Sequence, residues 1–180
     1  MTIVLLLLIW DIMDIRVGKK MNAEDLRQTI LEYMETHNAM SLATENENIP
    51  HAASVFYVNR EFDIYFLSSP TTRHGTNMSQ NPKVSATINE DYANWLLIKG
   101  IQMEGKVETI GGIMENIDIA RLYVKKFPYV TDFLFSPIKF GPKIAAKVAK
   151  VRFHRLKPSR ILFLNNEIGF GHRDELILSD

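Results

Sequence analysis

The sequence predicts an α+β domain built on an antiparallel sheet that closes into a small barrel with flanking helices. Short apolar or alternating segments separated by turn residues are typical of antiparallel strands, and about six are present. Two longer segments, residues 22–38 and 113–127, repeat apolar residues at helical spacing. Closing the sheet into a barrel leaves no unpaired strand edge. We find no internal repeat and no convincing domain linker.

The first predicted element is an amphipathic helix that ends near Asn38. Asn22 is a favourable N-cap, and Glu24 and Asp25 place negative charge at the positive end of the helix. Leu26 and Ile30 begin an apolar stripe at helical spacing. We interpret this stripe as part of the core.

Strands are predicted wherever apolar segments are bounded by turn residues. In the longest, Ile101 and Met103 alternate with Gln102, and Gly100 and Gly105 indicate bulges or a bend. A helix over residues 113–127 precedes an aromatic segment, 129–140, which is predicted as a short helix and a loop. The predicted strands are residues 40–44, 52–58, 62–67, 84–88, 95–110, 147–156 and 160–164, the last two separated by Lys157-Pro158-Ser159.

Composition excludes several classes of function. The 180 residues suit one domain, and the 21 Lys and Arg balance the 21 Asp and Glu, so no global charge favours nucleic acid or an anionic membrane. The absence of cysteine excludes disulfides, thiolate metal sites and cysteine nucleophiles. The five histidines lack close metal-ligand spacing, so we predict no metal site.

The amino-terminal residues 3–10 are continuously apolar but too short for a membrane-spanning helix, which needs about 20 residues. They also lack the basic start and small-residue cleavage site of a secretory signal. We interpret residues 1–20 as an extension that precedes the true start at Met21, with residues 21–180 as the domain. The alternative is an extra strand or short helix packed on that domain.

The strongest candidate site lies where a strand, a hydroxyl-rich turn and a helix follow one another. Thr71, Thr72, Arg73 and His74 open the helix, and Asn77 lies one turn later. Hydroxyls, helix N-terminal N–H groups and an arginine together suit a phosphate. The alternative is a threonine N-cap beside a solvated arginine, and the residues alone favour neither.

Other candidates have simpler explanations. Gln102 faces either solvent or a ligand groove, and His172 with Arg173 forms either an anion site or a surface turn. The basic residues between 139 and 160 are interpreted as a solvated strand face, with nucleic-acid binding or steering of an anionic ligand as the alternatives. The sequence contains no self-contained acid, base or nucleophile, so a cofactor would supply the chemistry of an enzyme.

These residues together resemble the FMN-binding split-barrel proteins related to pyridoxamine 5'-phosphate oxidase. The resemblance rests on four segments in the family's order, which cover most of residues 22–173. They read AASVFYV (52–58), SSPTTRHGTNMSQNPKVSATI (68–88), IQMEGKVE (101–108) and FHRLKPSRILFL (153–164). The resemblance implies a six-stranded antiparallel split β-barrel and a homodimer that holds FMN at its interface.

The resemblance also implies roles for matched positions. Arg73 and His74 would hold the FMN phosphate, residues 53–56 would line the flavin ring, and Gln102 would supply a polar contact. With Thr72 and Asn77 from the phosphate argument, the expected cofactor-binding residues are Ala53, Ser54, Val55, Phe56, Leu67, Ser68, Thr72, Arg73, His74, Asn77 and Gln102. His172 and Arg173 are the expected substrate residues, and no catalytic residue is identified. We expect a cytoplasmic flavin oxidoreductase that acts on a small molecule.

Departures from the family pattern narrow the expected activity. The vitamin B6 oxidases have a tryptophan where Leu164 stands, and an Arg-x-His pair where this chain has Phe170-Gly171-His172. Oxidation of vitamin B6 itself is therefore not expected. The alternatives are a non-catalytic flavin carrier or sensor, and a haem or deazaflavin (F420) protein on the same fold; haem would need an axial ligand such as His172 or His51.

Overall fold

The structure is a computed structural model that describes residues 21–178. The extension predicted for residues 1–20 lies outside the described residues. The helices are α1 (Ala23–Thr36), α2 (Arg73–Gln80), α3 (Ile113–Lys126), α4 (Thr131–Phe135) and α5 (Pro142–Val148), with 3₁₀ turns at Trp95–Leu97, Pro128–Val130 and Pro137–Phe140. The strands are β1 (Ala39–Asn46), β2 (Ile49–Arg60), β3 (Asp63–Ser68), β4 (Lys83–Asn89), β5 (Lys99–Thr109), β6 (Arg152–Asn165) and β7 (Arg173–Ile177).

Six strands close into an antiparallel barrel, as predicted. They are hydrogen-bonded in the order β3-β2-β1-β4-β5-β6, and pairing of β3 with β6 closes the ring. The seventh strand, β7, adds to the free side of β6. A two-residue turn with positive φ at Glu47 and Asn48 joins β1 to β2, so both strands extend further than the predicted residues 40–44 and 52–58.

The main core fills the barrel and is covered by α1. Asn22 caps α1 as predicted, because its side chain accepts a hydrogen bond from the Asp25 N–H at 2.9 Å. Ile30 and Met34 of α1 are fully buried with barrel residues of every strand from β1 to β7. The Tyr57 hydroxyl donates to the Met34 carbonyl at 2.8 Å and joins β2 to α1. The predicted apolar stripe is therefore core.

A second apolar cluster lies outside the barrel, between β2, β3, β6 and α3. It contains Val58, Tyr65 and Phe153 from the strands and Ile119 and Tyr123 from the helix. This cluster holds α3 against the outer face of β2 and β3. This packing leaves a cleft beside the start of α2.

The predicted break at Pro158 is wrong, since β6 runs continuously through that residue. The register with β5 shifts between Glu104 and Gly105, so Ser159 bulges out and Pro158 lies opposite Gly105. The bulge predicted at Gly105 is thus confirmed, whereas Gly100 lies in regular register with Asn89 and Leu164. The long strand predicted from residue 95 begins only at Lys99, after the 3₁₀ turn.

The basic segment is not one strand face, which corrects the sequence interpretation. Lys139, Lys143 and Lys147 lie on the 3₁₀ turn at residues 137–140 and on α5, while Arg152 and the later basic residues lie on β6.

Within residues 21–178, no helix combines the length and apolar character that crossing a membrane requires.

Candidate functional site

The site begins at the turn between β3 and α2. Thr72 caps α2, accepting a hydrogen bond from the Gly75 N–H at 3.1 Å and donating its own hydroxyl proton to the Ser69 carbonyl at 2.8 Å. The Ser69 and Thr71 hydroxyls lie 2.9 Å apart. A side chain at position 75 would collide with this turn, since its Cβ would lie 3.0 Å from the Pro70 Cα and closer still to the Ser69 carbonyl. The turn therefore presents hydroxyls and free N–H groups together.

Ser68 and His74 connect the end of β3 to the first turn of α2. The Ser68 Oγ lies 2.6 Å from His74 Nε2 and 3.1 Å from the Thr72 Oγ. Burial lowers the pKa of His74, and the nearby His51 lowers it further. The imidazole is therefore neutral near pH 7 in the absence of an anion. A bound phosphate would raise the pKa of His74, because an adjacent anion favours the protonated ring.

A second buried histidine belongs to the same region and was missed by the sequence analysis. His154 on β6 stacks on Phe66, with ring centroids 5.3 Å apart, and its Nδ1 lies 3.2 Å from the Thr109 hydroxyl. Its Nε2 has no hydrogen-bond partner among the described residues. Burial lowers the pKa of His154, the nearby Ser68 backbone raises it, and protonation of His74 would lower it further. No local sequence pattern identifies His154 as a candidate, because only the pairing of β3 with β6 brings it next to the end of β3.

A cleft of about 420 Å³ opens next to this turn, between the outer face of β2 and the helical segment after β5. Its far wall is aromatic. Tyr123 donates its hydroxyl to the Phe56 carbonyl at 2.5 Å, and Phe56 packs edge-on against Phe127 at 5.4 Å. The lining residues are Ser54, Val55, Phe56, Leu67, Ser68, Ser69, Thr72, His74, Tyr123, Phe127, Tyr129, Val130, Phe133 and Val151. The cleft is thus polar at the α2 end and apolar elsewhere.

Seven of the eleven expected cofactor residues line this one cleft. They are Ser54, Val55, Phe56, Leu67, Ser68, Thr72 and His74. Ala53 is half-buried and does not line the cleft, and Arg73 is exposed at the first position of α2. Asn77 is buried behind the turn, where its amide donates to the Thr44 hydroxyl at 3.1 Å. Neither Arg73 nor Asn77 lines the cleft in a single chain.

Gln102 lies on the opposite side of the barrel from the cleft. Its strand, β5, is three places from β2 in either direction around the six-stranded ring, and its side chain is exposed on the outer face. Shallow grooves of about 150 and 390 Å³ border it. One chain therefore cannot bring Gln102 and the cleft together, and a common site needs two chains.

His172 and Arg173 point to opposite faces of the sheet and do not line the cleft. His172 Nε2 lies 2.9 Å from a carboxylate oxygen of Asp174, which is fully buried. Arg173 is exposed and donates to the Gly171 carbonyl at 3.1 Å. The expected pair of substrate residues is thus separated by strand alternation.

A wider groove of about 780 Å³ crosses the outer face of β1, β4, β5 and β6. Charged residues of both signs line it, including Glu45, Lys83, Glu104 and Lys106, and it contains none of the expected cofactor residues. We therefore take the smaller cleft as the candidate site.

Among residues 21–178, no group of three histidines or acids has the geometry to hold a metal ion.

Comparisons with known proteins agree with this fold. A family model described as Pyridoxamine 5'-phosphate oxidase matches residues 26–163. A UPF0306 protein of Photorhabdus laumondii is 28% identical over 155 residues, which cover 85% of this chain and 96% of that protein. Another UPF0306 protein, from Klebsiella pneumoniae, is 30% identical over 123 residues, covering 67% of this chain and 72% of that protein.

Solved structures of other proteins share this fold. A putative pyridoxamine 5'-phosphate oxidase from Listeria innocua matches with a TM-score of 0.60 at 18% identity, over 78% of this chain and 98% of that one. A heme binding protein from Mycobacterium smegmatis matches with a TM-score of 0.62 at 19% identity, over 82% of this chain. The chain spans 57% of the length of that second protein.

Proposed function

Since the chain belongs to the pyridoxamine 5'-phosphate oxidase family, in a branch distinct from the vitamin B6 oxidase itself, we propose that it is an FMN-binding oxidoreductase. The observation that carries the proposal is the cleft. One end of the cleft is polar and suits the phosphate of FMN, and the other is apolar and suits the flavin ring. The Ser68–His74 turn offers hydroxyls, an imidazole and helix N–H groups for a phosphate. The aromatic wall of Phe56, Tyr123 and Phe127 offers an apolar surface for a planar ring.

The cleft suits FMN in its size as well as in its chemistry. Its volume of about 420 Å³ is within the usual range for small-molecule sites. Ser68, Thr72 and His74 would hold the phosphate, with Arg73 adding charge from the rim. Backbone groups of β2 near Ser54 and Val55 would orient the ring. Bound FMN would supply hydride or electron transfer, and the chain would position it and limit its access to water.

A complete site would need two copies of the chain. Gln102 and the cleft face opposite sides of one barrel, so the expected polar contact to the ring must come from the partner in a homodimer. Exposed apolar residues near β5 and β7 support this arrangement, because Trp95, Leu97, Phe170 and Ile177 are all at least 46% exposed in a single chain. A small-molecule substrate would then bind beside the ring at the subunit interface.

Complementation between variants tests the shared site. Arg73→Ala and Gln102→Ala chains would each form homodimers with two impaired sites. Mixed dimers would contain one intact site and one doubly impaired site, because residues of one site act together. Flavin retention should therefore return at half of the sites in the mixed dimers, which is about a quarter of all sites after random exchange of equal amounts of the two variants. Unrestored retention in a sample proven to contain mixed dimers would contradict the two-chain site.

The direct test of the cofactor is an absorption spectrum of the purified protein, recorded before and after addition of FMN and desalting. Bands of bound oxidised flavin are expected, and release of all the FMN would contradict the proposal. A reductant screen then separates an enzyme from a carrier: rapid reoxidation without turnover of any reductant would favour the carrier.

Haem is the second candidate for the same cleft. The observation that favours it is the near-parallel pair of His51 and His74, whose ring centroids lie 6.3 Å apart. Of the two, His74 lines the polar end of the cleft. Imidazole is a usual axial ligand of haem iron. The heme binding protein of Mycobacterium smegmatis shares the fold. An intense haem band after titration with hemin, lost in His51→Ala, would support this alternative over FMN.

A further inference from the structure

The segment after α3 forms a surface layer, which packs on the outer apolar cluster through the partly buried Val130 and Leu134. Helices α4 and α5 contain no buried residue. Phe133 and Phe140 pack against each other, with centroids 6.4 Å apart. Three neighbours are strongly exposed: Phe135 at 63%, Ile138 at 68% and Phe140 at 52%. Soluble monomers rarely concentrate so many apolar side chains in one exposed patch.

Basic side chains accompany these apolar ones. Lys143 and Lys147 lie one turn apart on α5, with Ile144 beside them, and Lys150 follows just after the helix. All three lysines are exposed and form no ion pair with other described residues. We define the aromatic-basic surface as Phe135, Ile138, Phe140, Lys143, Ile144, Lys147 and Lys150.

The charge of the chain is divided unevenly. Residues 121–150 contain seven Lys or Arg and a single acid, Asp132, which gives a net charge of +6. Because the whole chain has a net charge of zero, the remaining residues carry −6. The expectation of no membrane partner rested on the total charge, which conceals this local excess.

We propose that the aromatic-basic surface binds peripherally to a lipid bilayer that carries anionic headgroups. Aromatic and aliphatic side chains enter the headgroup boundary, while lysines on the same short helices contact the lipid phosphates. This combination distinguishes a lipid surface from a second copy of the chain, because lysine is depleted where proteins contact one another. Two copies meeting through this surface would also oppose like charges.

The position of the surface gives the binding a consequence for the cleft. Tyr129, Val130 and Phe133 belong to the same segment and line the apolar end of the cleft. A chain seated on a bilayer through Phe135 and Phe140 would therefore hold the cleft near the lipid boundary. The lipid proposal itself needs no cofactor and does not depend on FMN.

Sedimentation of the full chain with vesicles tests the proposal. The vesicles would be phosphatidylcholine alone or phosphatidylcholine mixed with phosphatidylserine. We expect binding to the mixed vesicles and much weaker binding to the neutral ones. The variant K143Q/K147Q/K150Q should bind the mixed vesicles roughly 100-fold more weakly, and high salt should have a similar effect on the wild type.

Two further variants make the test specific. F135S/F140S, which changes exposed residues outside the cleft lining, should also lose binding while keeping the wild-type circular dichroism spectrum. K83Q/K106Q/K157Q removes three lysines from the groove on the other face of the barrel and should bind as the wild type does.

Three outcomes would overturn the proposal. The first is a wild type that binds neither kind of vesicle, and the second is an equal loss of binding in both triple-lysine variants. A dimer that F135S/F140S converts to a monomer without any lipid binding would instead assign the surface to a second copy. Flavin retention, measured separately on each variant, reports on the cleft and is expected to stay unchanged.

Discussion

The Ser68 Oγ atom lies 2.6 Å from Nε2 of His74, which ties the last residue of β3 to the first turn of α2. Ser68 is buried, so this hydrogen bond fixes the imidazole at the polar end of the cleft. A neutral imidazole held by a serine can donate to a phosphate without a permanent charge. The cationic contribution at this end therefore depends on Arg73 and on pH.

Replacement of Arg73 by alanine should weaken FMN binding by about 10- to 100-fold, the range expected for loss of one charge-assisted hydrogen bond. Arg73 is exposed, so the fold should be unaffected. The measurement is the dissociation constant from FMN fluorescence quenching. Arg121→Ala is the matched control, because Arg121 is also exposed on a helix but lies on α3, away from the turn. Equal affinities of the two variants would contradict the phosphate site.

The free energy of unfolding should decrease as the pH is lowered through about 6.5, where histidines of the unfolded chain take up protons. Burial lowers the pKa of His74 and of His154 in the folded chain. Between the unfolded and folded pKa values the unfolded state binds more protons, so acid favours unfolding. Urea unfolding at several pH values measures the slope. The H74Q/H154Q variant should have a smaller slope, and an unchanged slope would refute this origin of the pH dependence.

Gly105→Ala should destabilise the fold by about 3 kcal/mol, as expected for overpacking that the backbone cannot relieve. A Cβ at this position would lie 2.8 Å from the Pro158 Cα and nearer still to the Lys157 carbonyl, both on the bulged strand β6. Thermal unfolding gives the difference. Gly111→Ala is the control, since a Cβ there meets nothing within 4 Å. Similar melting temperatures for both variants would show that the bulge can adapt.

His172→Ala should cost about 3 kcal/mol, because it leaves the fully buried Asp174 carboxylate without its partner. The other Asp174 oxygen already lacks a hydrogen-bond partner among the described residues. H172A/D174N should recover part of the loss, since the buried charge is then removed as well. Arg173→Ala, on the opposite face, should change the stability by less than about 0.5 kcal/mol. A small effect of His172→Ala would leave its predicted substrate role as the better explanation.

Local sequence patterns predicted well those features of the fold that depend on residues close together in the chain. The Asn22 cap, the Thr72 cap and the alternation around Met103 all depend on residues a few positions apart. Pro158 misled the prediction of a strand break, because the bulge opposite Gly105 accommodates a proline that a regular ladder would exclude. That accommodation depends on a strand some 50 residues away.

The candidate site was predicted in part for the same reason. Thr72 and His74 belong to one turn, and Ser54 and Leu67 lie on adjacent strands, so a short stretch of chain brings them to one cleft. His154 comes to lie near Ser68, beside the site, only through the pairing of β3 with β6, which no local signal reveals. Asn77 was predicted to face a ligand from its helical spacing, whereas the packing of α2 on β1 places it against Thr44.

The sequence by itself determined the elements, the order of the strands along the chain and the hydroxyl-rich turn, because each depends on short-range sterics and hydrogen bonding. Only the tertiary structure decided which residues share a surface. Ring closure separates Gln102 from the cleft, and strand alternation separates His172 from Arg173. The packing of α4 and α5 outside the barrel leaves Phe135 and Phe140 exposed beside the lysines of this segment. Such neighbours in space are set by contacts between distant segments, which composition and periodicity do not record.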